Sequence, residues 1–160
     1  MIKVEIPKEW VIWARHRAQE MGALKNSITK GEGNVSGFLG EIIVVKHYGG
    51  HLQHSLDCDA VIRYRSADIK TKRCTSEPKM HYECTVAATS THQQCDDYYF
   101  VRILEDMSTG WIVGYIPQRL FFENARFYQK GSPDPAKPEW TFKADCYNMT
   151  ISDIQRIGGI

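Results

Sequence analysis

Asp59-Ala-Val-Ile-Arg-Tyr-Arg-Ser-Ala-Asp68-Ile-Lys70-Thr-Lys72-Arg73 is the stretch on which the fold turns. Asp59 to Tyr64 and Ala67 to Lys72 read as two strands joined by a short turn. In a strand, Asp68 and Lys70 project from one face, and Ala67, Ile69 and Thr71 from the other. The Cα atoms of Asp68 and Lys70 stand about 7 Å apart by strand rise, so a carboxylate and an ammonium can bracket one oxygen-rich site. Pairing of the two strands brings Asp59 beside Asp68. Adjacent carboxylates repel and favour a bound hard cation, which is how a magnesium site is made.

N-terminal to this stretch, Ser36 reads as the N-cap of a helix through Tyr48, stopped by Gly49-Gly50. Glu41 lies on that helix, with Gly37, Phe38, Val44 and Val45 as its three- and four-residue neighbours. A carboxylate on so apolar a face must be satisfied, and a metal ion or a water satisfies it. Gly37 and Gly40 suit close approach of the helix to the sheet or to a phosphate backbone. Pro7 to Met21 is an earlier amphipathic helix, with Trp10, Ala14, Ala18 and Met21 at helical spacing. Lys25 to Asn34 is a polar loop. Tyr98 to Leu104 and Trp111 to Ile116 read as a hairpin, and Pro117 opens a short helix through Asn124. Gly131 to Pro138 is loop-like and separates a last strand pair. Trp140 to Ile151 returns as a strand before Ser152 caps a final turn. The order predicts an α/β fold, a mixed central β-sheet flanked by helices, in one domain spanning residues 1–160.

The 20 Lys and Arg nearly cancel the 19 Asp and Glu, for a formal net charge of +1. A uniformly basic nucleic-acid coat protein and an acidic disordered chain are both excluded by that balance. The balance is uneven, however: residues 1–80 carry +4 and residues 81–160 carry −3. Five cysteines are an odd number without small-scaffold spacing, which predicts free thiols in a reducing compartment. The N-terminus carries Glu5 and Glu9 and has no secretory h-region, and no apolar run reaches about 18 residues. We therefore expect a cytoplasmic protein with no membrane partner.

The combination of Gly37-Phe-Leu-Gly-Glu41, Asp59-Ala-Val-Ile62 and Asp68-Ile-Lys70 resembles the PD-(D/E)XK nuclease superfamily. The match covers residues 36 to 73, with Cys58 where the motif name has proline. Cys95-Asp-Asp-Tyr-Tyr-Phe-Val101 and Ile112-Val-Gly-Tyr-Ile116 look like the strands that follow. The resemblance implies a restriction-endonuclease-like fold and a magnesium-dependent phosphodiester hydrolase, with manganese as a possible substitute ion. It implies Asp59 and Asp68 as metal ligands, Glu41 as the ancillary helical acid, and Lys70 positioning or activating the attacking water. The expected substrate is DNA, double-stranded, cut by an endonuclease of the kind phages and mobile elements encode, homing endonucleases included, in a bacterial or phage-infected cell. Two cuts from one site per chain predict a homodimer or higher oligomer.

Arg63 to Arg73 carries a local charge of +4, so Arg63, Arg65, Lys72 and Arg73 are the candidate phosphate contacts. Arg15, His16, Arg17, Lys25 and Lys30 form a second basic region, and Gln53, Gln93, Gln94 and Asn34 are open candidates for base contacts. Phe121, Phe122, Phe127 and Tyr128 are candidates for core or interface. A rival reading uses His81-x-x-Cys84 and His92-x-x-Cys95 as zinc ligands in a non-catalytic DNA-binding module. If His81 to Val86 is a strand, His81 and Cys84 face opposite ways, and Tyr82, Cys84 and Val86 form a buried face; if it is a helix, the three-residue offset aligns the pair.

Overall fold

The structure is a computed structural model, and it describes residues 1–21, 32–53, 55, 57–134 and 137–160. The chain opens with strand β1 (Ile2–Glu5), helix α1 (Lys8–Met21) and helix α2 (Glu32–Tyr48). Strands β2 (Gly50–Leu52), β3 (Ala60–Ile62), β4 (Arg65–Cys74) and β5 (Glu83–Ala87) follow, then β6 (Asp97–Leu104) and β7 (Thr109–Pro117). The last third holds α3 (Gln118–Asn124), β8 (Arg126–Tyr128), β9 (Pro133–Asp134), β10 (Lys137–Thr141), β11 (Cys146–Thr150) and α4 (Ile151–Ile157).

Six strands form a mixed sheet in the order β1-β7-β6-β4-β3-β2. All its pairings are antiparallel except β4 with β6, which run parallel from Ala67↔Asp97 to Cys74↔Leu104. A parallel pair needs a crossover, commonly a helix. Here the crossover carries β5, which leaves the large sheet and pairs with β11 in a three-stranded sheet ordered β5-β11-β8.

Each face of the six-stranded sheet has its own core. On one face, Ala67, Ile69, Tyr99, Val101 and Ile112 pack with Phe38, Leu39, Ile43 and Val44 of α2 and Ala14 of α1. On the other, Tyr98, Phe100, Trp111 and Val113 pack with Phe121, Ile151, Ile154, Val86 and Met149. Leu39, Ile43 and Val44 are fully buried, and each such side chain contributes roughly 1.5–3 kcal/mol, which anchors α2 despite the burial of Glu41. Among the described residues no helix is long and apolar enough to cross a membrane.

Helix α2 starts at Glu32, four positions before the predicted cap, and Ser36 is buried inside it. Gly33 and Asn34 are weak helix formers, but packing of the Phe38–Val45 segment extends the helix through them. Lys25 to Gly31 of the predicted loop lie outside the described residues. Gly49 (φ +74°) ends the helix, its N–H reaching the Val45 carbonyl at 3.1 Å. At the other end of the chain, Thr150 and not Ser152 caps α4, its hydroxyl accepting from the Asp153 N–H. The predicted strand from Trp140 is two strands, broken between Thr141 and Cys146. Phe121 is buried, whereas Phe127 is exposed and Tyr128 stacks on Phe142 at 4.5 Å.

Candidate active site

The alternation of β4 divides its side chains between the two cores. Ala67, Ile69 and Thr71 face α2, and the approach there is close. A Cβ on Gly40 would lie 1.9 Å from the Thr71 hydroxyl oxygen, so only glycine permits this helix–strand distance. Gly37 has nothing within 4 Å of such a Cβ and plays no comparable part. Seating α2 at this depth carries Glu41, the next residue, down to the edge of β4.

Asp68 and Lys70 project from the opposite face. The Lys70 ammonium lies 2.5 Å from Asp68 Oδ2 and donates to Gln93 Oε1 at 3.3 Å. It also stands 5.9 Å from the centre of the Tyr98 ring. Gln118 braces this wall by donating to the Gln93 carbonyl at 2.7 Å and to the Tyr98 hydroxyl at 3.0 Å. Asp68 is 4 % exposed, so the ammonium is the counter-charge that makes its burial tolerable.

Asp59 links the two sides. The β3–β4 ladder ends at Ala60↔Ala67, which would leave the Ile69 N–H of β4 without a strand partner on that edge. Asp59 Oδ2 accepts that N–H at 2.7 Å. The turn before it is fixed by Ser55, whose hydroxyl oxygen accepts the Cys58 N–H at 3.0 Å. So held, the Asp59 carboxyl reaches the Asp68 carboxyl, and burial, the Asp68 charge and the hydrogen bond between them push its pKa up to about 7. Glu41 is pushed up to about 8, by burial first and then by the Asp59 charge, with Asp68 a smaller contributor. Arg17 of α1 opposes that rise, and its guanidinium lies 5.8 Å from the Phe38 ring.

Asp59, Asp68 and Lys70 are thus in direct contact, and Glu41 extends the row from the α2 side, near enough for the Asp59 and Asp68 charges to act on it. Among the described residues no three His, Cys, Asp or Glu side chains are gathered into a ready-made metal cage. The donor chemistry nevertheless fits a hard divalent cation. Burial and the neighbouring carboxylates raise the proton affinity of Glu41 and Asp59, and a single ammonium sits against Asp68, a charge pattern that a cation relieves.

The candidate phosphate contacts lie on either side of this row. Lys72 continues the Asp68–Lys70 face, and its ammonium donates to the Thr85 hydroxyl at 2.5 Å; desolvation and Arg102 lower its pKa. Arg73 is exposed on the neighbouring position. Arg63, in the β3–β4 turn, lies 5.3 Å from the Tyr48 ring. Arg65 is committed elsewhere: its guanidinium grips Asp97 through Nε at 2.5 Å and Nη2 at 2.8 Å. Lys25 and Lys30 lie outside the described residues, while Arg15 and His16 are exposed on α1.

Strand β5 places Cys84 and Val86 in the core with Tyr82 packed against them. His81 and His92 are exposed. Burial pushes the Cys84 thiol up to about 12, away from the thiolate that zinc needs. The residues that sequence reasoning did not assign to the site are Arg17, Gln118 and the lysine-holding role of Gln93. Only the basic run around Arg17 and the polar run at 92–94 hinted at them. No protein-family model and no curated protein sequence matches this chain.

Proposed function

We propose that the protein is a magnesium-dependent DNA endonuclease with a restriction-endonuclease-like core, a divergent member of the PD-(D/E)XK superfamily. The observation that carries this reading is the Asp59–Asp68 carboxyl pair, with Lys70 two residues on along the same strand face and Glu41 delivered by α2. Asp59, Asp68 and Glu41 would hold the ion. Magnesium, or manganese in its place, supplies positive charge against the scissile phosphate and makes water a stronger nucleophile at neutral pH. Lys70, already steered by Gln93, moves its charge from Asp68 towards the phosphate and orients the attacking water. Water oxygen bonds to phosphorus and gives up a proton to solvent as the bridging P–O bond breaks, and the departing oxygen takes up a proton from solvent. The added negative charge on the phosphoryl oxygens is met by Lys70, with Arg17 behind Glu41.

Lys72, Arg73 and Arg63 are the proposed phosphate contacts, and the proposed substrate is double-stranded DNA cut by a dimer or higher oligomer. Phage and mobile-element endonucleases of the homing type are the biological setting this architecture suits, in the cytoplasm of a bacterial or infected cell. The reading is tested by incubating supercoiled plasmid and magnesium with the wild type and with Asp68→Ala and Lys70→Ala, each checked for native circular dichroism. Loss of cleavage by about 10³-fold in both supports it; a folded variant that keeps most of its activity overturns it.

A further inference from the structure

We propose that the groove between β4 and the β9–β10 hairpin binds an unpaired DNA strand continuing from the scissile phosphate. Its placement rests on the nuclease reading above. The groove has a volume of about 700 Å³ and is walled by Lys72, Arg73, Tyr82, Trp140, Phe142 and Lys143. A smaller cavity of about 290 Å³ is lined by both Lys70 and Lys72, and Lys72 belongs to both spaces. Asp68, Lys70 and Lys72 follow one another along one face of β4. A strand leaving the carboxylate row therefore meets these lysines in turn and enters the groove.

The far wall supplies the second kind of contact. Trp140 is 43 % exposed at the groove, and its ring meets Phe142 edge-on at 5.1 Å. Phe142 is buried and stacked on Tyr128, so the indole rests on a fixed aromatic base while retaining open surface. Three acids also line the groove, Glu83, Glu105 and Asp134. Glu83 is engaged from within the fold, its carboxylate accepting from Asn148 at 2.6 Å and its backbone carbonyl from Arg102 at 2.6 Å.

Basic side chains along one wall and an indole on the other are the parts that hold single strands. Cations follow the phosphates, and the ring stacks on a base face of any sequence. A duplex hides those base faces in its own stack and offers the groove phosphates alone. The arrangement therefore favours an unpaired arm over a continued duplex.

The test measures fluorescence anisotropy in EDTA, so that nothing is cut, using a blunt duplex and a forked duplex with the same paired sequence and unpaired DNA arms. The wild type should bind the fork about fivefold or more tightly than the blunt duplex. Trp140→Ala and, separately, Lys143→Ala should erase that preference, Trp140→Phe should keep much of it, and Trp140→Ala should leave blunt-duplex affinity unchanged. Fork binding should also quench tryptophan fluorescence in the wild type more than in Trp140→Phe. Equal affinity for fork and blunt duplex in the wild type overturns the proposal, as does a preference that survives Trp140→Ala. Plasmid cleavage in magnesium is scored separately. Cleavage without fork preference rejects the groove and keeps the nuclease, whereas a Trp140-dependent preference without cleavage does the reverse.

Discussion

At the scale of single residues, the site is governed by where carboxyl protons sit. Glu41 titrates near 8 in the fold and Asp59 near 7, both raised mainly by burial. Between the ordinary carboxyl range and those values the folded protein holds protons that the unfolded chain has lost. Metal-free stability must therefore fall as pH rises from about 4.5 to about 8. Glu41→Gln should remove much of this slope, raising stability at about pH 9 by roughly 2–4 kcal/mol and changing little at about pH 4. Urea midpoints at the two pH values check this, and an unaltered slope contradicts the burial of a titrating Glu41. Magnesium needs the same carboxyls deprotonated, so it should raise Tm in the wild type and not in Asp68→Asn, with EDTA reversing the rise. Gln93 acts through Lys70. Gln93→Ala should lower cleavage by about tenfold while leaving the magnesium-induced Tm shift intact.

At the scale of elements, the decisive contact is α2 on β4. A methyl group on Gly40 would collide with the Thr71 side chain, so Gly40→Ala should cost about 1–3 kcal/mol in a denaturant titration. It should also lift Glu41 from the row and weaken magnesium-induced stabilisation, whereas Gly37→Ala, with open space around it, should do neither. Sequence alone made this element pair legible. The alternation Ala67-Asp68-Ile69-Lys70-Thr71 separates a core face from a polar one, and Glu41 interrupts an apolar helix. What it could not reveal was that Asp59 reaches Asp68 by capping the Ile69 N–H where the ladder ends, because register depends on a turn built by Ser55 and Cys58. Nor could it reveal that Arg65 is spent on Asp97, a partner 32 positions away. Strand β5 was legible as an alternation that buries Cys84 and Val86, but its partner β11, more than 55 positions on, was not.

At the scale of the whole molecule, the nearly neutral total conceals a basic N-terminal half at +4 and an acidic C-terminal half at −3. The two halves interleave in the sheet, meeting along β4–β6 and again along β1–β7, so no single strand pair divides their charge. DNA binding carried by a few phosphate contacts, with Lys72, Arg73 and Arg63 among them, should weaken with salt at a log–log slope of about −3. A slope near zero would remove these residues as phosphate contacts. Metal-dependent phosphodiester hydrolysis is the central activity proposed for this molecule. Its most direct test is the wild-type protein incubated with supercoiled plasmid, once with magnesium and once with EDTA. Nicked or linear DNA with magnesium alone is the predicted result; binding with no cleavage in magnesium or manganese would contradict it.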